Sequence, residues 1–375
     1  MARCIAILAL IASLLLNPWL SQALPDLNST MAHGRRLAGS TRETVRLLLY
    51  DKTKGYLNWF MEWFVTAARD KCSVTCILTE DRAFLDTADM LVFHAPTHTN
   101  VPPNPRNIIF TMLSMEQPRY ARFLSDAAYL QRHFALLATY SQAAMFPGTS
   151  IPNLPLTYFP LNILTPAAVL QPPRPFAEKT GYDSGVSVAV FVSNCQAAGA
   201  AARLTYLEEL AKLIKIHSYG KCLKNIDEPN MAEDSRWPPI AQRRARKVKV
   251  LSQYKFYLAF ENLDVDDYVS EKVYEGLFAG TVPVYRGARQ IAQFMPSNGS
   301  FINANGLNPA ALSALLTRLS KDEGAYNKYF AFKTQKLPPE FEQIALRSYT
   351  HPNVACRLCE HAAERRRALA RSSTR

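Results

Sequence analysis

Apolar runs and polar stretches alternate along the chain from Glu43 onward, and the first half contains four short runs rich in Val, Ile and Leu. Such runs, with amphipathic stretches between them, are typical of buried parallel strands joined by crossover connections. The pattern predicts strands at residues 45–50, 73–78, 89–95 and 107–113.

The second half has the same rhythm, with helical periodicity between the runs. Leu204, Leu207 and Leu210 fall on one face of a helix. Gly280 is placed to end another helix in a left-handed cap. We predict strands at 187–193, 255–261 and 281–287, and helices at 202–215, 270–278 and 309–322.

A Pro-rich stretch at residues 147–175 separates the two halves. Proline removes a ladder hydrogen bond, so we interpret this stretch as an interdomain connection rather than as sheet. The fold class that follows is α/β, with two doubly wound, Rossmann-like domains facing a cleft. We place the domains at 43–165 and 176–345, followed by a tail at 346–375 with a basic end.

The N-terminus indicates the secretory pathway. An apolar run follows Arg3, and small residues end at Ala23, so residues 1–23 are predicted to be a cleaved signal peptide or a signal anchor. Residues 24–42 are polar and are predicted to be a stem. Asn28 and Asn298 begin glycosylation sequons, which agree with a lumenal location.

The 375 residues are 48% hydrophobic and carry a formal net charge of +12, which is enough apolar material for two cores. Basic runs at 243–249 and 364–367 supply much of the charge. We expect a solvated loop and a frayed tail, respectively. Basic runs also suit nucleic acid, an anionic membrane or a phosphate-bearing substrate, but no aromatic-interleaved basic motif of nucleic-acid modules is present.

Six cysteines remain once Cys4 is removed with the leader, an even number that suits an oxidising compartment. Cys356 and Cys359 form a CxxC pair, but no second pair with zinc-ligand spacing accompanies it. We therefore predict a disulfide framework, in which a bond from this pair would staple the tail to the body. The pairing stays open.

Polar residues cluster where a strand is predicted to turn into a helix, in the stretch FENLDVDDYVSEK that begins at Phe260. Ser270 is placed to cap the helix, so that its free N–H groups face the loop. Lys272 and the helix N-terminus suit a phosphate, and Glu271 can accept two hydroxyls of a ribose. A sugar nucleotide would satisfy all three, although such residues are also common on exposed helices.

Two more candidates follow other strands. Arg203 opens the helix after Ser193-Asn194-Cys195 and could bind a diphosphate without a metal. Glu116 follows the strand at 107–113, where a general base aimed across a cleft should lie. Each could equally be a surface residue. The acidic run 264–267 fits metal-site spacing only weakly, so no metal site is predicted.

These stretches together resemble the α-1,3-fucosyltransferase family, glycosyltransferase family 10. The stretch from Phe260 to Gly287 is similar to the family's donor-binding signature, and the block from Ser193 to Cys222 is similar to its companion block. The resemblance extends from about Glu43 to Cys359 and implies a GT-B architecture, GDP-fucose as donor and inversion at the anomeric carbon. It implies no obligatory metal cofactor, with Mn²⁺ or Mg²⁺ stimulatory at most.

The resemblance also assigns roles to residues of this chain. Glu116 would be the catalytic base, and the six other positions would bind the donor. Of these, Arg203 and Lys272 would neutralise the diphosphate and Glu271 would hold the ribose. The six donor-binding positions are Asn194, Arg203, Asn262, Tyr268, Glu271 and Lys272.

Three positions depart from the family pattern. Gln142 follows Ser141 where the family continues with Ser-Asp, which affects the expected acceptor contacts. His217 stands at a position that is usually acidic, and Gln117 replaces the usual Ser beside Glu116.

The tail sequence from Cys356 to His361 resembles the branch that fucosylates the innermost GlcNAc of N-glycans on secretory glycoproteins. The resemblance thus implies a Golgi-lumenal protein, membrane-associated if the leader is an anchor, with GDP-fucose and a glycoprotein N-glycan as partners. Alternatives are a Lewis-type enzyme acting on N-acetyllactosamine and an inactive lumenal glycan-binding protein on the same scaffold. Another GT-B glycosyltransferase is disfavoured because the Glu-Lys spacing matches one family.

Overall fold

The computed structural model describes most of the chain from Glu43 onward, and these residues belong to one compact unit that begins at Arg42. The predicted leader, the stem and the sequon at Asn28 lie outside the described residues. No helix within the described part is long and apolar enough to cross a lipid bilayer. The described ranges are 43–51, 72–104, 106–119, 121–158, 166–182, 185–196, 199–229, 239–347 and 353–373.

The first half forms a six-stranded parallel sheet with the order β2-β1-β3-β4-β5-β6. Its four predicted strands are confirmed. Two short strands at one side were not predicted, because β5 has only four residues and β6 only three. The strands are β1 (Thr44–Leu49), β2 (Thr75–Thr79), β3 (Met90–His94), β4 (Ile109–Ser114), β5 (Leu136–Thr139) and β6 (Asn153–Pro155).

The interpretation of residues 147–175 as entirely non-sheet is wrong. Strand β6 lies within this stretch and pairs in parallel with β5, with Leu137 opposite Asn153 and Thr139 opposite Pro155. Because β6 is an edge strand, the missing N–H of Pro155 leaves no gap in the ladder on the inner side. Proline therefore confines this segment to the edge of the sheet without removing it from the sheet.

The second half forms a five-stranded parallel sheet with the order β11-β10-β9-β7-β8. The three predicted strands are β7, β9 and β10, all confirmed. The chain runs from β7 to β8 on one side and then to β9 on the other, so β7 and β9 flank a topological switch point. The strands are β7 (Val188–Val192), β8 (Ile216–Gly220), β9 (Phe256–Phe260), β10 (Val282–Arg286) and β11 (Ile302–Asn303).

Helices connect the strands, and the three predicted helices are confirmed as α3, α5 and α6. Gly280 ends α5 with φ 61°, as its position in the sequence predicts. The helices are α1 (Ala127–His133), α2 (Pro166–Val169), α3 (Ala200–Ala211), α4 (Pro239–Leu251), α5 (Glu271–Ala279), α6 (Pro309–Leu319), α7 (Glu323–Asn327), α8 (Pro339–Ile344) and α9 (Val354–Ser373).

The basic tail is helical, and the expectation of a frayed end is wrong for residues up to Ser373. Helix α9 returns to the first half, where Leu358 and Ala363 are fully buried against the first sheet. Arg366 donates to Glu43 Oε1 and to Asp89 Oδ1, at 2.6 and 2.8 Å. Apolar burial on one face and ion pairing on the other hold the helix in place.

All six cysteines of the body are paired, which confirms the disulfide framework. Cys72–Cys356 and Cys76–Cys359 join the segment around β2 to α9, so both cysteines of the CxxC pair staple the tail to the body. Cys195–Cys222 joins the loop after β7 to the loop after β8. This third bond lies at the carboxyl edge of the second sheet.

Candidate active site

The polar residues predicted to bind a ligand collect at the carboxyl edge of the second sheet. Strand β9 is buried along its whole length, and the polar segment starts at the residue after it, Glu261. Asn194 lies in the loop after β7, across the switch point from Glu261 and Asn262. In open α/β sheets the crevice at this point is where ligands bind.

Arg203 reaches this crevice from the first turns of α3 and is 3% exposed. Its Nη1 donates to Asn262 Oδ1 at 2.5 Å and to the Phe260 carbonyl at 3.3 Å. Its Nη2 donates to the Asn194 carbonyl at 2.9 Å. The structure thus brings together Asn194, Arg203 and Asn262, three of the predicted donor-binding residues.

Two features position the loop after β7 and the start of α3 at the crevice. Gly199 caps α3 with φ 87°, and a Cβ there would lie 2.3 Å from the Asn262 carbonyl oxygen. Only glycine permits both the left-handed backbone and this approach. The disulfide from Cys195 fixes the residue next to Asn194. The guanidinium of Arg203 is therefore positioned by backbone geometry on both sides.

Lys272 contacts the same loop from the first turn of α5. Its Nζ donates to Glu261 Oε2 at 2.9 Å and to Ser270 Oγ at 2.6 Å, and it lies 3.8 Å from Glu271 Oε1. Two cations, Arg203 and Lys272, are therefore anchored on three consecutive residues, Phe260 to Asn262. A diphosphate bound here would have to share Lys272 with Glu261.

The prediction that Ser270 caps α5 is confirmed for its position and wrong for its hydroxyl. Ser270 stands at the N-cap position, but its Oγ accepts no hydrogen bond from a backbone N–H of the first turn. The hydroxyl and the backbone N–H of Ser270 both donate to Glu261, at 2.8 Å. The hydroxyl oxygen accepts instead from Lys272 Nζ, at 2.6 Å, so a charged donor takes the place of a backbone N–H of the first turn.

Glu271 is a carboxylate surrounded by cations. Burial alone would raise its pKa, but the charges of Lys272, Arg244 and Lys247 lower the pKa of Glu271 to about 2. Burial alone would lower the pKa of Lys272, but the charges of Glu261 and Glu271 raise it above its ordinary value. Glu271 and Lys272 are therefore both charged at neutral pH, as ribose and phosphate recognition require.

The basic run at 243–249 belongs to helix α4, so the expectation of a solvated loop is wrong. Arg244 is 8% exposed, and Lys247 Nζ lies 2.6 Å from Glu275 Oε2 on α5. Sequence reasoning missed these two cations and Glu261. The sequence does contain a signal for them. Arg244 and Lys247 are three residues apart on α4, and Glu271 and Glu275 are four residues apart on α5. Both spacings put the two charges on one face of the helix.

Glu116 follows β4 and lies half-buried at the carboxyl edge of the first sheet. Its Oε2 accepts a hydrogen bond from the Tyr268 hydroxyl at 3.3 Å. Tyr268 precedes α5, so this bond joins the predicted base in the first half to the donor-binding segment of the second. The ring of Tyr268 makes edge contacts with Tyr140 and Tyr158, at 5.2 and 5.8 Å between centroids.

The surroundings of Glu116 favour its neutral form. Burial raises the pKa of this carboxyl, while the Tyr268 hydrogen bond and the charge of Lys272 lower it; the net effect is a raised pKa. Burial also raises the pKa of Tyr268, so its hydroxyl keeps the proton and donates. A carboxylate with a raised pKa is a stronger proton acceptor than an exposed one.

The three departures from the family pattern have defined places. Gln117 is fully buried, and its Oε1 accepts from the Arg119 N–H at 2.8 Å. His217 lies in the core, with Nδ1 at 2.7 Å from the Tyr254 hydroxyl. Gln142 donates its backbone N–H to Asp267 at 2.9 Å. Two of the three thus belong to local packing, and Gln142 takes part in a contact between the halves.

The acidic run at 264–267 is spread over separate partners. Asp264 lies 3.8 Å from Arg289, and Asp267 accepts from residues of both halves. Among the described residues, the acidic, His and Cys side chains that approach one another closely enough for a shared ion are Cys72, Cys356 and Glu360. Two of these three are joined in a disulfide.

Comparison with known proteins decides the family. A sequence model described as "Glycosyltransferase family 10 (fucosyltransferase) C-term" matches residues 183–373. A second, described as "Fucosyltransferase, N-terminal", matches residues 42–147. The chain belongs to glycosyltransferase family 10. The family resemblance drawn from the sequence is therefore confirmed, and the second match covers the half that carries Glu116.

Relatives of family 10 cover much of the chain. Alpha-(1,3)-fucosyltransferase B of Drosophila melanogaster is 32% identical over 74% of this chain and 61% of its own length. GDP-fucose protein O-fucosyltransferase 3 is 35% identical in Danio rerio, over 59% of this chain and 48% of the relative. The Mus musculus protein is 34% identical over 54% and 40%, respectively. The chain thus spans about half the length of these relatives.

Solved structures of alpha1,3-fucosyltransferases share the fold. An alpha1,3-fucosyltransferase with GDP aligns over 85% of this chain and 92% of that chain, with a TM-score of 0.54 and 14% identity. An alpha1,3-fucosyltransferase with GDP-fucose aligns over 85% of this chain and 93% of that chain, with a TM-score of 0.53 and 14% identity. The α/β, GT-B expectation is confirmed.

Proposed function

We propose that this protein is an inverting fucosyltransferase that moves L-fucose from GDP-fucose to the 3-hydroxyl of a GlcNAc residue, the innermost one of N-glycans. The observation that carries the proposal is the placement of two anchored cations, Arg203 and Lys272, at one side of a crevice and of Glu116 at the other. Family membership and the names of relatives support the donor.

The reaction follows from this arrangement. Glu116 takes the proton of the acceptor hydroxyl as its oxygen attacks C1 of fucose. The bond from C1 to the phosphate oxygen breaks, and the negative charge passes to GDP. Arg203, Lys272 and the N-terminus of α5 stabilise that charge. They provide the positive charge that a metal ion would otherwise provide at the diphosphate. Glu271 and Asn262 orient the donor, and Asn194 holds Arg203.

A second acceptor class is favoured by one observation: several relatives are named GDP-fucose protein O-fucosyltransferase 3. A hydroxyl of Ser or Thr in a polypeptide would need the same base and the same donor site. The GlcNAc proposal rests on the sequence of the tail around Cys356. The experiment must therefore distinguish a GlcNAc acceptor from a Ser or Thr acceptor.

The three disulfides support a lumenal protein of the secretory pathway, and we place it in the Golgi, where N-glycan acceptors are available. Neither this location nor the membrane association of the leader changes the chemistry of the site. Lumenal GDP-fucose and a glycoprotein N-glycan would be the partners.

The experiment incubates the purified lumenal part with GDP-fucose and separate panels of acceptors: truncated N-glycans, N-acetyllactosamine, and Ser/Thr-bearing folded domains. GDP release is measured first, and fragmentation then locates the added deoxyhexose. Fucose on the innermost GlcNAc supports the proposal, whereas fucose on lactosamine or on a Ser/Thr hydroxyl replaces its acceptor. Absence of transfer in every panel, or GDP release from GDP-mannose alone, overturns it.

A further inference from the structure

Residues 264–269, here called the strap, leave the second half between β9 and α5 and enter the first half. Tyr268 is 3% exposed and belongs to the same core cluster as Leu156 and Tyr158 of the first half, and Val265 packs against that cluster. The strap therefore crosses the crevice, although its sequence belongs to the donor-binding segment.

Asp267 is the polar anchor of the strap. Its Oδ2 accepts from the Gln142 N–H at 2.9 Å and from Ser141 Oγ at 3.5 Å, both in the first half. Its Oδ1 accepts from Gln293 Nε2 at 3.2 Å, in the second half. One carboxylate thus ties the two halves together. Its backbone has φ 62°, a left-handed conformation that Asp tolerates better than most residues.

The residue after this anchor is Tyr268, whose hydroxyl reaches Glu116, and Glu271 and Lys272 follow within four residues. A shift of Asp267 would therefore move the base contact and the donor contacts relative to each other. We propose that Asp267 is a positioning residue that sets the Tyr268–Glu116 contact across the crevice. The proposal rests on the proposed function and deepens it.

The charged and titratable groups that face Glu116 are Tyr268 on the strap, Lys272 and Glu271 on α5, Glu261 after β9, Tyr140 after β5 and Tyr158 after β6. Among these, the Tyr268 hydroxyl is the group that the strap controls most directly. Its hydrogen bond lowers the pKa of Glu116. Loss of the Asp267 anchor should weaken this hydrogen bond and so raise the pKa of Glu116 further. The pH below which activity is lost should rise with it.

The test replaces Asp267 by Gly, which keeps the left-handed backbone accessible and removes the carboxylate. We expect kcat to fall roughly 10- to 100-fold, as misplaced catalytic groups typically cost, while the Kd for GDP changes less than about threefold. The acidic limb of the kcat profile should move to higher pH. Asp267→Asn, which keeps one acceptor oxygen for Gln142, should restore most of kcat. Asp266→Gly is the matched control, because Asp266 is exposed on the same strap.

Two further measurements separate the possible failures. Hydrogen exchange at the Gln142 amide should accelerate in Asp267→Gly whatever substrate is used. If the wild-type protein transfers no fucose, the proposed function fails. Hydrogen exchange at the Gln142 amide still tests the role of Asp267 in that case. The proposal on Asp267 is overturned if the Gly variant keeps the wild-type kcat and pH profile, or if Gln142 exchange is unchanged. Should the Gly variant not fold, the Asn variant decides: it should keep both Gln142 exchange and kcat near the wild-type values, and a change in one of the two without the other overturns the proposal.

A second, independent observation concerns the sequon at Asn298. Asn298 and Gly299 are exposed at a turn closed by the Ser300 N–H, which donates to the Ser297 carbonyl at 3.1 Å. Asn298 lies on the rim of a groove of about 500 Å³ between β11, α6 and α7. The groove is lined by Phe301, Leu315, Arg318, Leu319 and Tyr329.

The lining matches the chemistry of a sugar. Half-exposed Leu315 and Tyr329 offer apolar surface to a pyranose ring, and exposed Arg318 offers hydrogen-bond donors to its hydroxyls. We propose that Asn298 carries an N-linked glycan whose first GlcNAc occupies this groove. The disulfides, which indicate an oxidising compartment, place the chain where such a glycan is added.

The test expresses the full chain in a secretory host that adds oligomannose glycans, and maps the peptide that contains Asn298. One arm trims the glycan to a single GlcNAc with endoglycosidase H, and another removes it with PNGase F. We expect the trimmed protein to keep its Tm and the stripped protein to lose a few degrees. PNGase F leaves Asp at position 298, so an Asn298→Asp variant should have the same Tm as the stripped protein. An unglycosylated Asn298→Gln variant should lose as much, which shows that the new charge is not the cause. An unmodified Asn298 overturns the site, and equal Tm values of the trimmed and stripped proteins overturn the seating in the groove.

Discussion

At the carboxyl edge of the second sheet, Lys272 contacts two carboxylates and Arg203 is bonded to two backbone carbonyls. At the carboxyl edge of the first sheet, Glu116 faces the hydroxyl of Tyr268 and a group of tyrosine rings. The first environment keeps charges paired and ionised. The second raises the pKa of a single carboxyl.

This difference suits the two tasks that the proposed reaction sets. A diphosphate needs fixed positive charge, and paired cations lose little entropy when they bind it. A base needs a proton affinity above that of an exposed carboxylate, which burial provides without a second charge. The substitutions below test each edge separately.

The largest effect is expected for Glu116→Gln, which removes the proton acceptor and keeps the shape of the side chain. The kcat for fucose transfer should fall by about a thousandfold, within the range for a general base. Calorimetric titration should show an unchanged affinity for GDP, because the donor contacts come from the other half. Exposed Glu340→Gln serves as the control. Transfer at the wild-type rate would remove Glu116 from the mechanism.

Lys272→Met should affect both binding and stability. Lys272 is 15% exposed on its side chain and Glu261 is 0% exposed, so the substitution leaves a buried carboxylate without its cation. The free energy of unfolding in urea should fall by about 3 kcal/mol, and GDP affinity by at least about tenfold.

Adding Glu261→Gln to Lys272→Met separates the two effects. The double variant no longer contains the unpaired charge, so its stability should return towards the wild-type value. Its GDP affinity should stay low, because the phosphate still lacks the ammonium group. If both properties recover together, Lys272 acts on GDP only through the fold.

Removal of the Cys195–Cys222 disulfide, as Cys195→Ser with Cys222→Ala, tests how the donor edge is held. The bond closes a separation of 27 residues, for which chain entropy alone gives about 3.6 kcal/mol of stabilisation. GDP affinity should fall several-fold, because Asn194 next to Cys195 holds Arg203. Thermal unfolding and GDP titration measure the two effects.

The tail provides the comparison for this disulfide. Removing Cys76–Cys359 leaves Cys72–Cys356, which closes nearly the same loop, with separations of 283 and 284 residues. Loss of Cys76–Cys359 should therefore lower the free energy of unfolding less than loss of Cys195–Cys222 does, and GDP affinity should be unchanged. A larger loss of GDP affinity in the tail variant would contradict the role given to Asn194.

The smallest effect is expected for Tyr268→Phe, which removes the hydrogen bond to Glu116. Loss of one hydrogen bond of this kind should lower kcat roughly fivefold. Because that bond lowers the pKa of Glu116, the acidic limb of the kcat profile should move to higher pH. Activity is then lost earlier as pH falls, since protonated Glu116 cannot accept a proton. A limb that moves to lower pH would refute the assigned contact.

Strands β1 to β4, β7, β9 and β10 and helices α3, α5 and α6 could be predicted because their apolar patterns are long and regular. Strand β6 and helix α9 could not, because proline and a basic run gave the opposite signal. In both cases the position in the fold decided the outcome. Pro155 lies at the edge of the sheet, where its missing N–H is tolerated, and Arg366 lies next to acidic partners such as Glu43.

The sequence by itself determined which residue types stand at the strand ends, and therefore Arg203, Lys272, Glu271 and Glu116 as candidates. It did not determine that Glu261 would bond Lys272 and Ser270, or that Tyr268 would cross to Glu116. Pairing between residues far apart in the chain depends on which sheet edges face each other. Only the tertiary structure decides that, because hydrogen bonds and buried charges act over a few ångströms, whatever the separation along the sequence.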